Sequence, residues 1–400
     1  MTFAVTETRQ SAPQNLCYLL VNHAEAVQGA MTELQWRKLV DLAVHERVGA
    51  LLFRKLRERC ELDELPDEAR AALSEQYLLN AAQNRIFSSE LARIAEKFEN
   101  RDVSCVLLKG AALAHSLYEE PALRPMNDID LLIQPEELNS AINQMGSLGY
   151  EVLAASHLEH TAWLDQAANH HVHLRNILLG VSVELHWRLI GGKDDWRSPD
   201  SAWFWEQKRP LASVANLPFY ELAPEACLLY LAAHAELQHG VSSSPLLWYY
   251  DIYLLLEKYA NELDWELVIK KAVELNWAEA LFQALDSVEL FFGLELPVSQ
   301  ARGWIPRDGR AARYIEQKTR PRGSRTEETL RDLGTFQGLA RLRVLLALLF
   351  PGAKYMRKRY QPKPSWLWPL YYPYRWADIG FDSILALVEH IRSKYEKFKR

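Results

Sequence analysis

The stretch LLKGAALAHSLYEEPALRPMNDIDLLI, residues 107–133, decides the fold of this 400-residue chain. It opens on the end of VSCVLL (103–108), a short apolar run with the length and composition of a buried strand. Lys109 and Gly110 separate that strand from a short helical segment, and DIDLLI (128–133) then forms a second buried strand. Two apolar strands joined by a helix predict a core in which helices pack against a β-sheet.

The carboxylates of Asp128 and Asp130 lie two residues apart on the second strand, so we expect both to point to one face of the sheet. Ile129 and Leu131 then face the core. Two converging carboxylates repel each other unless a cation lies between them. Mg²⁺ commonly uses one or two carboxylates together with substrate phosphates. The apolar neighbours favour a Mg²⁺ site over the alternative, a solvated strand edge.

The chain beyond this strand continues the alternation of helices and strands. The segment EELNSAINQMGSLGY (136–150) has the pattern of an amphipathic helix, and YEVL extends from it. Two alternating stretches, HHVHLRNI (170–177) and VSVELHWRL (181–189), are joined by LLG and predict a hairpin. The order from about residue 100 to 190 is β-α-β-α-β-β-β, which indicates a small mixed sheet.

Helical patterns lie on both sides of this core, so the predicted fold class is α+β. Residues 34–98 and the chain beyond Pro224 carry apolar residues at three- and four-residue spacing. We expect four regions: an N-terminal helical region (1–99), the α/β core (100–215), a helical domain (216–300) and a basic, aromatic-rich helical tail (301–400).

The combination of these motifs resembles a known family. KG followed by R-x-x-x-DID, then HxH and VELHW, is similar to the polymerase-beta-type nucleotidyltransferase superfamily, and within it to the bacterial proteins described as uncharacterised nucleotidyltransferases. The resemblance spans roughly residues 100–255, including PEACLLYLAAH and the segment around Asp251. It implies that Asp128 and Asp130 hold one or two Mg²⁺ ions that bridge an NTP substrate.

The resemblance also implies where the nucleotide phosphates bind. The superfamily usually opens its helix with Gly-Ser or Gly-Gly, and Gly110-Ala111 stands at that place here, between Lys109 and Arg124. The missing serine removes one hydroxyl contact, but backbone N–H groups at the helix start would still hold phosphate. Lys109 either supplies a compensating cation or forms a surface cap or ion pair.

A third carboxylate often lies on a neighbouring strand in this superfamily, and Glu184 in VSVELHW fits that place. It would complete the metal site or take a proton from the attacking hydroxyl; the alternative is an exposed strand glutamate. His171, His173 and His186 also alternate along the hairpin, where they either line an acceptor pocket or form ordinary surface. His234 and Asp251 lie on apolar helices and either pair with each other for structure or face the cleft.

The resemblance implies a Mg²⁺-dependent transfer of a nucleoside monophosphate from an NTP to an acceptor that the sequence does not identify. Three other functions stay open. A kinase-like phosphotransferase would use the same metal pocket, and a non-catalytic binding or regulatory protein would keep only the fold. The third is a membrane-docked assembly factor that functions through its basic tail.

Composition and charge bound the setting of the protein. The cysteines are scattered without metal-ligand spacing, and no signal peptide or membrane-spanning run is evident, so we expect a cytoplasmic location. The net charge is −6, yet residues 341–400 hold 13 Lys/Arg against 4 Asp/Glu. Such a tail suggests contact with an anionic partner, which is a membrane surface, a nucleic acid or the acidic body of the protein itself. Contact with a membrane surface would place the protein at the inner membrane.

Overall fold

A mixed sheet of seven strands carries the candidate site in this computed structural model. The strands stand in the order β3-β4-β5-β2-β1-β7-β6. Their bounds are β1 (Cys105–Leu108), β2 (Ile129–Ile133), β3 (Tyr150–Val152), β4 (His171–Asn176), β5 (Ser182–His186), β6 (Lys208–Pro210) and β7 (Tyr220–Leu222). Strand β2 runs antiparallel to β1 and parallel to β5.

The described residues are 12–21, 31–153, 169–192, 195–211, 219–240, 243–259, 261–294, 296, 309–319 and 333–381. They separate into two compact units. The first combines Met1–Val152, Leu174–Trp187 and Ser201–Thr319, and the second combines Leu153–His173, Arg188–Asp200 and Arg320–Arg400. The boundaries of the four sequence regions stay predictions.

The described helices precede, separate and follow the strands along the chain. They are α1 (Ala12–Leu20), α2 (Glu33–His45), α3 (Gly49–Glu58), α4 (Asp67–Glu99), α5 (Lys109–Ser116), α6 (Leu138–Ser147), α7 (Ala202–Glu206), α8 (Pro224–Ala233), α9 (Leu246–Tyr259), α10 (Trp265–Glu274), α11 (Ala278–Phe292), α12 (Gly309–Thr319), α13 (Gly338–Leu349) and α14 (Ala353–Tyr360). A π-helix at His234–His239 continues α8, and 3₁₀ turns occupy Leu62–Glu64, Pro121–Leu123 and Ser365–Tyr371. No helix among these described segments is long and apolar enough to cross a bilayer.

Local sequence explains where key elements begin. Helix α2 begins after Thr32, whose hydroxyl accepts the N–H of Gln35 while the Gln35 side chain accepts the N–H of Thr32. Helix α8 begins with Pro224, which has the backbone angle that a first helical turn requires. Strands β1 and β2 are buried along their whole length, because both lie in the middle of the sheet and are apolar except for Asp130.

The α+β class and the element order from β1 to β5 are confirmed. The predicted hairpin is present as β4 and β5, and the N–H of Asn176 donates to the carbonyl of Val181 over 2.8 Å at its turn. Strands β6 and β7 were not predicted, because each has three residues and shows no alternation that the sequence could reveal. Strand β7 pairs in parallel with β1 at Tyr220 and Val106 and extends the sheet beyond the predicted core.

Candidate functional site

Strands β2 and β5 bring two carboxylates side by side. In their parallel register Asp130 stands opposite Glu184, and Leu132 stands opposite His186. Opposed residues of neighbouring strands project to the same face, and so do residues two apart along one strand. The strand pairing therefore places Asp130, Glu184 and His186 on one face of the sheet.

Asp130 is buried and has two side-chain partners, an ammonium and an imidazole. Its Oδ1 accepts a hydrogen bond from Lys109 Nζ at 2.7 Å and lies 2.9 Å from His186 Nε2. His186 Nε2 also lies 3.3 Å from Glu184 Oε2, and the histidine side chain is fully buried. A buried carboxylate needs such partners because isolated burial of its charge is costly. The imidazole thus stands between the two carboxylates.

Charge governs the titration of these groups. Burial would raise the pKa of Asp130, but the attraction of Lys109 and the hydrogen bond from His186 hold that pKa well below its usual range. Burial likewise opposes a charge on His186, yet its hydrogen bonds to Asp130 and Glu184 raise its pKa. The cluster therefore keeps Asp130 negative beside the Lys109 ammonium and favours the protonated form of His186.

Asp128 lies immediately before β2, and it is half-buried. Burial and repulsion by Asp130 and Glu184 raise its pKa to about 6, against the opposing attraction of Lys109 and His186. The prediction that Asp128 lies within the strand is corrected by one residue, because β2 begins at Ile129. Its carboxylate nevertheless interacts electrostatically with the other two.

The turn from β1 into α5, where the phosphate loop is predicted, has a tight backbone. Lys109 has a φ of 43°, a left-handed conformation that is uncommon for a residue with a side chain. Gly110 follows, and a Cβ there would collide with the Arg124 guanidinium and with Met126. Gly110 and Ala111 are both buried at the start of α5. Lys109 is therefore directed into the carboxylate cluster and does not form a surface pair.

Arg124 has a buried structural partner. Its Nη2 donates to Asp251 Oδ2 at 2.7 Å and its Nε donates to Asp251 Oδ1 at 3.0 Å. The Tyr118 hydroxyl donates to the same Oδ1 at 2.7 Å. Asp251 is therefore buried for structure, but its partners are Arg124 and Tyr118 and not the predicted His234. The ring of His234 instead contacts the ring of Trp248, with centroids 4.6 Å apart. Contact between Arg124 and a nucleotide stays a prediction.

Two residues from the N-terminal helices hold the segment that leads to Asp128, and the sequence did not single out either of them. The buried Asn84 of α4 donates from Nδ2 to the carbonyls of Pro121 and Arg124, the latter at 2.9 Å. Arg47, between α2 and α3, donates from Nη2 to the Pro125 carbonyl and to Asn127 Oδ1, each at 3.3 Å.

Arg47 is also part of the charge balance of the site. Its φ of 63° is left-handed, in the turn that joins α2 to α3. Burial and the nearby Arg124 lower its pKa, while Asp128 and Asp251 act in the opposite direction. The left-handed conformation of Arg47 is visible only in the structure. The sequence around it therefore could not predict a contact with residues about eighty positions away.

The three histidines of the predicted acceptor pocket have different environments. His171 and His173 lie on β4 and are half-buried, and the rings of His170 and His171 contact each other with 3.1 Å between Nε2 and Nδ1. His186 departs from the prediction, because its buried ring is bonded to the carboxylates and does not face an open pocket. An acceptor site at His171 and His173 stays a prediction.

The donor atoms present fit a divalent cation. One ligand atom each from Asp130, Glu184 and His186 lie within 4.8 Å of one another. Asp128 adds a third carboxylate, whose pKa is raised by burial and by repulsion from Asp130 and Glu184. Carboxylate oxygens are the ligands that Mg²⁺ prefers, whereas imidazole suits transition metals better. The three carboxylates are therefore the better match to Mg²⁺, and His186 is placed to orient two of them.

Comparisons with known proteins identify the chain's relatives. A family model described as uncharacterised nucleotidyltransferase matches residues 32–293, more than half of the chain. The match begins at Thr32, the N-cap of α2, and is longer than the predicted span of 100–255. It therefore includes Arg47 and Asn84, which lie outside that span. None of the curated proteins compared with the chain matches it.

Two solved structures are similar to parts of the chain. One is the antibiotic-resistance factor ANT(2'')-Ia, at 13% identity and a TM-score of 0.34, covering 52% of this chain and 96% of that protein. The other is an antigenic nucleotidyltransferase-like protein from Paracoccidioides brasiliensis, at 16% identity and a TM-score of 0.31, covering 48% of this chain and 91% of that protein.

Proposed function

The chain belongs to the uncharacterised nucleotidyltransferase family, and we propose that it transfers a nucleoside monophosphate from an NTP to an acceptor at the carboxylate cluster of β2 and β5. The observation that carries this proposal is the register that sets Asp130 beside Glu184, with Asp128 close enough to be affected by both. A family of nucleotidyl-transferring enzymes needs such a concentration of negative charge to bind its cation.

Asp128, Asp130 and Glu184 would hold Mg²⁺, which when bound neutralises phosphate charge and polarises the reacting phosphorus centre. His186 would orient the carboxylates of Asp130 and Glu184, since its Nε2 lies within 3.3 Å of both. Glu184 is the more accessible of the two, with a side chain 19% exposed. It would therefore also be the group that takes the proton from an acceptor hydroxyl.

Lys109 would exchange partners when the nucleotide binds. In the free protein its ammonium neutralises Asp130 at 2.7 Å. With Asp130 holding Mg²⁺, the Lys109 ammonium would instead contact a phosphate oxygen, as a point charge on a flexible stem can. The backbone N–H groups of Gly110 and Ala111 at the start of α5 would bind the outer phosphates.

The test uses the position of a radioactive label to separate two reactions. The protein is incubated with Mg²⁺, a small-molecule cell extract as acceptor source, and each NTP labelled at either the α- or the γ-phosphate. Nucleotidyl transfer moves the α label to product and releases pyrophosphate. A kinase-like activity would move the γ label and release a nucleoside diphosphate, and would contradict the proposal.

Variants connect that reaction with the carboxylates. We expect Asp130→Asn and Glu184→Gln each to lower α-label transfer at least about a hundredfold, because transition-state charge stabilisation is lost. Glu221→Gln is the matched control, since Glu221 is a buried carboxylate of the same sheet that pairs with Arg209 at 3.0 Å. Transfer by Glu184→Gln at the wild-type rate would remove that residue from the mechanism.

A further inference from the structure

A stripe of leucines on α13 is exposed to solvent. Leu339, Leu342, Leu346 and Leu349 are spaced by three or four residues and therefore lie on one side of the helix. Their exposed fractions are 70%, 53%, 48% and 36%. The opposite side is packed, because Val344 and its neighbours contact Leu333 and Phe336. A helix packed on one side with a row of leucines on the other presents an apolar surface.

Large amphipathic rings extend this surface beyond α13. Phe350 contacts the rings of Tyr372 and Trp376, with centroids 5.7 and 5.5 Å apart. Trp366, Leu370 and the other large side chains that follow are mostly exposed: Trp366 68%, Leu370 66%, Tyr374 64%, Trp376 44% and Phe381 64%. We call the leucine stripe together with the large side chains from Phe350 to Phe381 the C-terminal face.

The C-terminal face belongs to a strongly basic segment. Residues 338–381 contain eight Lys/Arg and a single acidic residue, Asp378. Arg341, Arg357 and Arg359 are exposed. Asp378 is engaged by the Tyr360 hydroxyl at 2.8 Å. Positive charge and exposed apolar side chains are therefore combined in one short stretch of the second compact unit.

We propose that the C-terminal face binds the surface of an anionic lipid bilayer. Leucines and tryptophans would enter the boundary between headgroups and acyl chains, while arginines remain among the anionic headgroups. Since no described helix is able to cross a bilayer, this contact lies in the plane of the membrane. It does not depend on the proposed nucleotidyl transfer.

Other partners fit the C-terminal face less well. A single-stranded nucleic acid would use the arginines and the rings, but it leaves four exposed leucines without a function. A second copy of the chain would bring two basic surfaces together, and their repulsion opposes association. An anionic bilayer is the partner that accounts for the leucines, the aromatic rings and the charge at once.

The test is flotation of the full chain with vesicles of phosphatidylcholine alone or mixed with phosphatidylglycerol. We expect binding to increase with the phosphatidylglycerol content and to weaken as salt is added, because the headgroup charge is screened. Leu342→Glu with Leu346→Glu should lower binding to the mixed vesicles by about tenfold or more. Arg357→Gln with Arg359→Gln should weaken binding to the mixed vesicles and leave binding to pure phosphatidylcholine unchanged.

The matched control introduces the same charges at other exposed leucines. Leu78 and Leu79 of α4 are 61% and 56% exposed, so Leu78→Glu with Leu79→Glu changes similar side chains in the first compact unit. It should bind vesicles like the wild type, and circular dichroism checks that all variants are folded. Equal flotation of the Leu342/Leu346 variant and the wild type would overturn the proposal. So would tail-dependent binding to an oligonucleotide without binding to vesicles.

Discussion

At the residue scale, Lys109 and a divalent cation would compete for the same carboxylate. The Lys109 ammonium donates to Asp130 Oδ1, and the attraction of Asp130 raises its pKa despite the cost of burial. The sequence indicated Lys109 as either a phosphate ligand or a surface group. The structure gives it a third environment, which the sequence could not predict because the left-handed turn that directs it inward depends on packing around Gly110.

Lys109→Met should therefore have opposite effects on two ligands. Removing the ammonium should tighten binding of Mg²⁺ to the free protein, because Asp130 loses its competing cation. It should weaken binding of the Mg²⁺-NTP complex by about tenfold, because a charged hydrogen bond to phosphate is lost. Isothermal titration calorimetry measures both affinities. Lys258→Met, which removes an exposed ammonium that donates to the Ser116 carbonyl, is the control. Parallel losses of both affinities would contradict the exchange of partners.

A second residue-scale effect concerns stability and pH. Glu236 lies in the π-helix and is fully buried, and burial raises its pKa to about 7 although the Tyr249 hydroxyl donates to it at 2.9 Å. The pKa of Glu236 is therefore higher in the folded state than in the unfolded state. The contribution of the protonated side chain to folding stability is complete below about pH 4.5 and is lost as the pH rises through 7.

Glu236→Gln should remove this loss. At pH 8 we expect the variant to be more stable than the wild type by up to about 3 kcal/mol, and at pH 5 the difference should largely disappear. Urea unfolding at the two pH values measures it. Glu257→Gln, which removes an exposed carboxylate that also accepts a tyrosine hydroxyl, from Tyr253 at 2.8 Å, is the matched control. A Glu236→Gln variant that is equally destabilised at both pH values would contradict this account.

At the element scale, the helix start after β1 needs a residue without a side chain at position 110. A Cβ there would collide with Arg124 and Met126 and push the Arg124 guanidinium away from Asp251. Gly110→Ala should lower the free energy of unfolding by about 2 kcal/mol or more, because overpacking and a weakened buried ion pair add together.

Gly146→Ala is the matched control in thermal unfolding. Gly146 lies in α6, and a Cβ there meets nothing within 4 Å. This substitution should be neutral or should stabilise the protein by about 0.5–1 kcal/mol, since alanine restricts the unfolded chain. Equal melting temperatures for the two variants would show that the contact with Arg124 is unimportant.

Sequence patterns predicted the elements of the core well and its edges less well. Strand β1 is a continuous apolar run, β2 is apolar except for Asp130, and β4 and β5 alternate around a short turn, so period and length identify all four. Strands β6 and β7 have three residues each; β7 pairs with β1 and β6 pairs with β7 only because the fold brings them together. Alternation predicted which face Glu184 lies on, and the family resemblance placed it on a strand next to Asp130. The roles of Arg47 and Asn84 arise from contacts across the chain.

At the scale of the whole molecule, the N-terminal helices and the sheet form one unit. Asn84 of α4 and Arg47 after α2 bind the segment that leads to Asp128, and Glu46 accepts the N–H of Leu246 at the start of α9 at 2.8 Å. The family match, which begins at residue 32, includes these residues. The sequence pattern of each helix shows only that the helix is amphipathic, so it could not predict that these helices contact the sheet.

Asn84→Leu should therefore weaken the first compact unit as a whole. It removes the Asn84 donor from the Arg124 carbonyl and one of the two donors of the Pro121 carbonyl, and should cost about 1–3 kcal/mol. Hydrogen exchange should report the loss in α4 and in β2 alike. Gln83→Leu, at an exposed position of the same helix, should have little effect on either element. A loss of protection confined to α4 would indicate that the helices and the sheet unfold separately.

The central claim is that Asp130 and Glu184 share a divalent cation with a bound NTP. Mn²⁺ can substitute for Mg²⁺, and electron paramagnetic resonance measures directly how much Mn²⁺ the protein retains when it is mixed with NTP. We predict that the wild type and Glu221→Gln retain Mn²⁺ in the presence of NTP, and that Asp130→Asn and Glu184→Gln, when folded, do not. Equal retention by all four proteins would contradict the account.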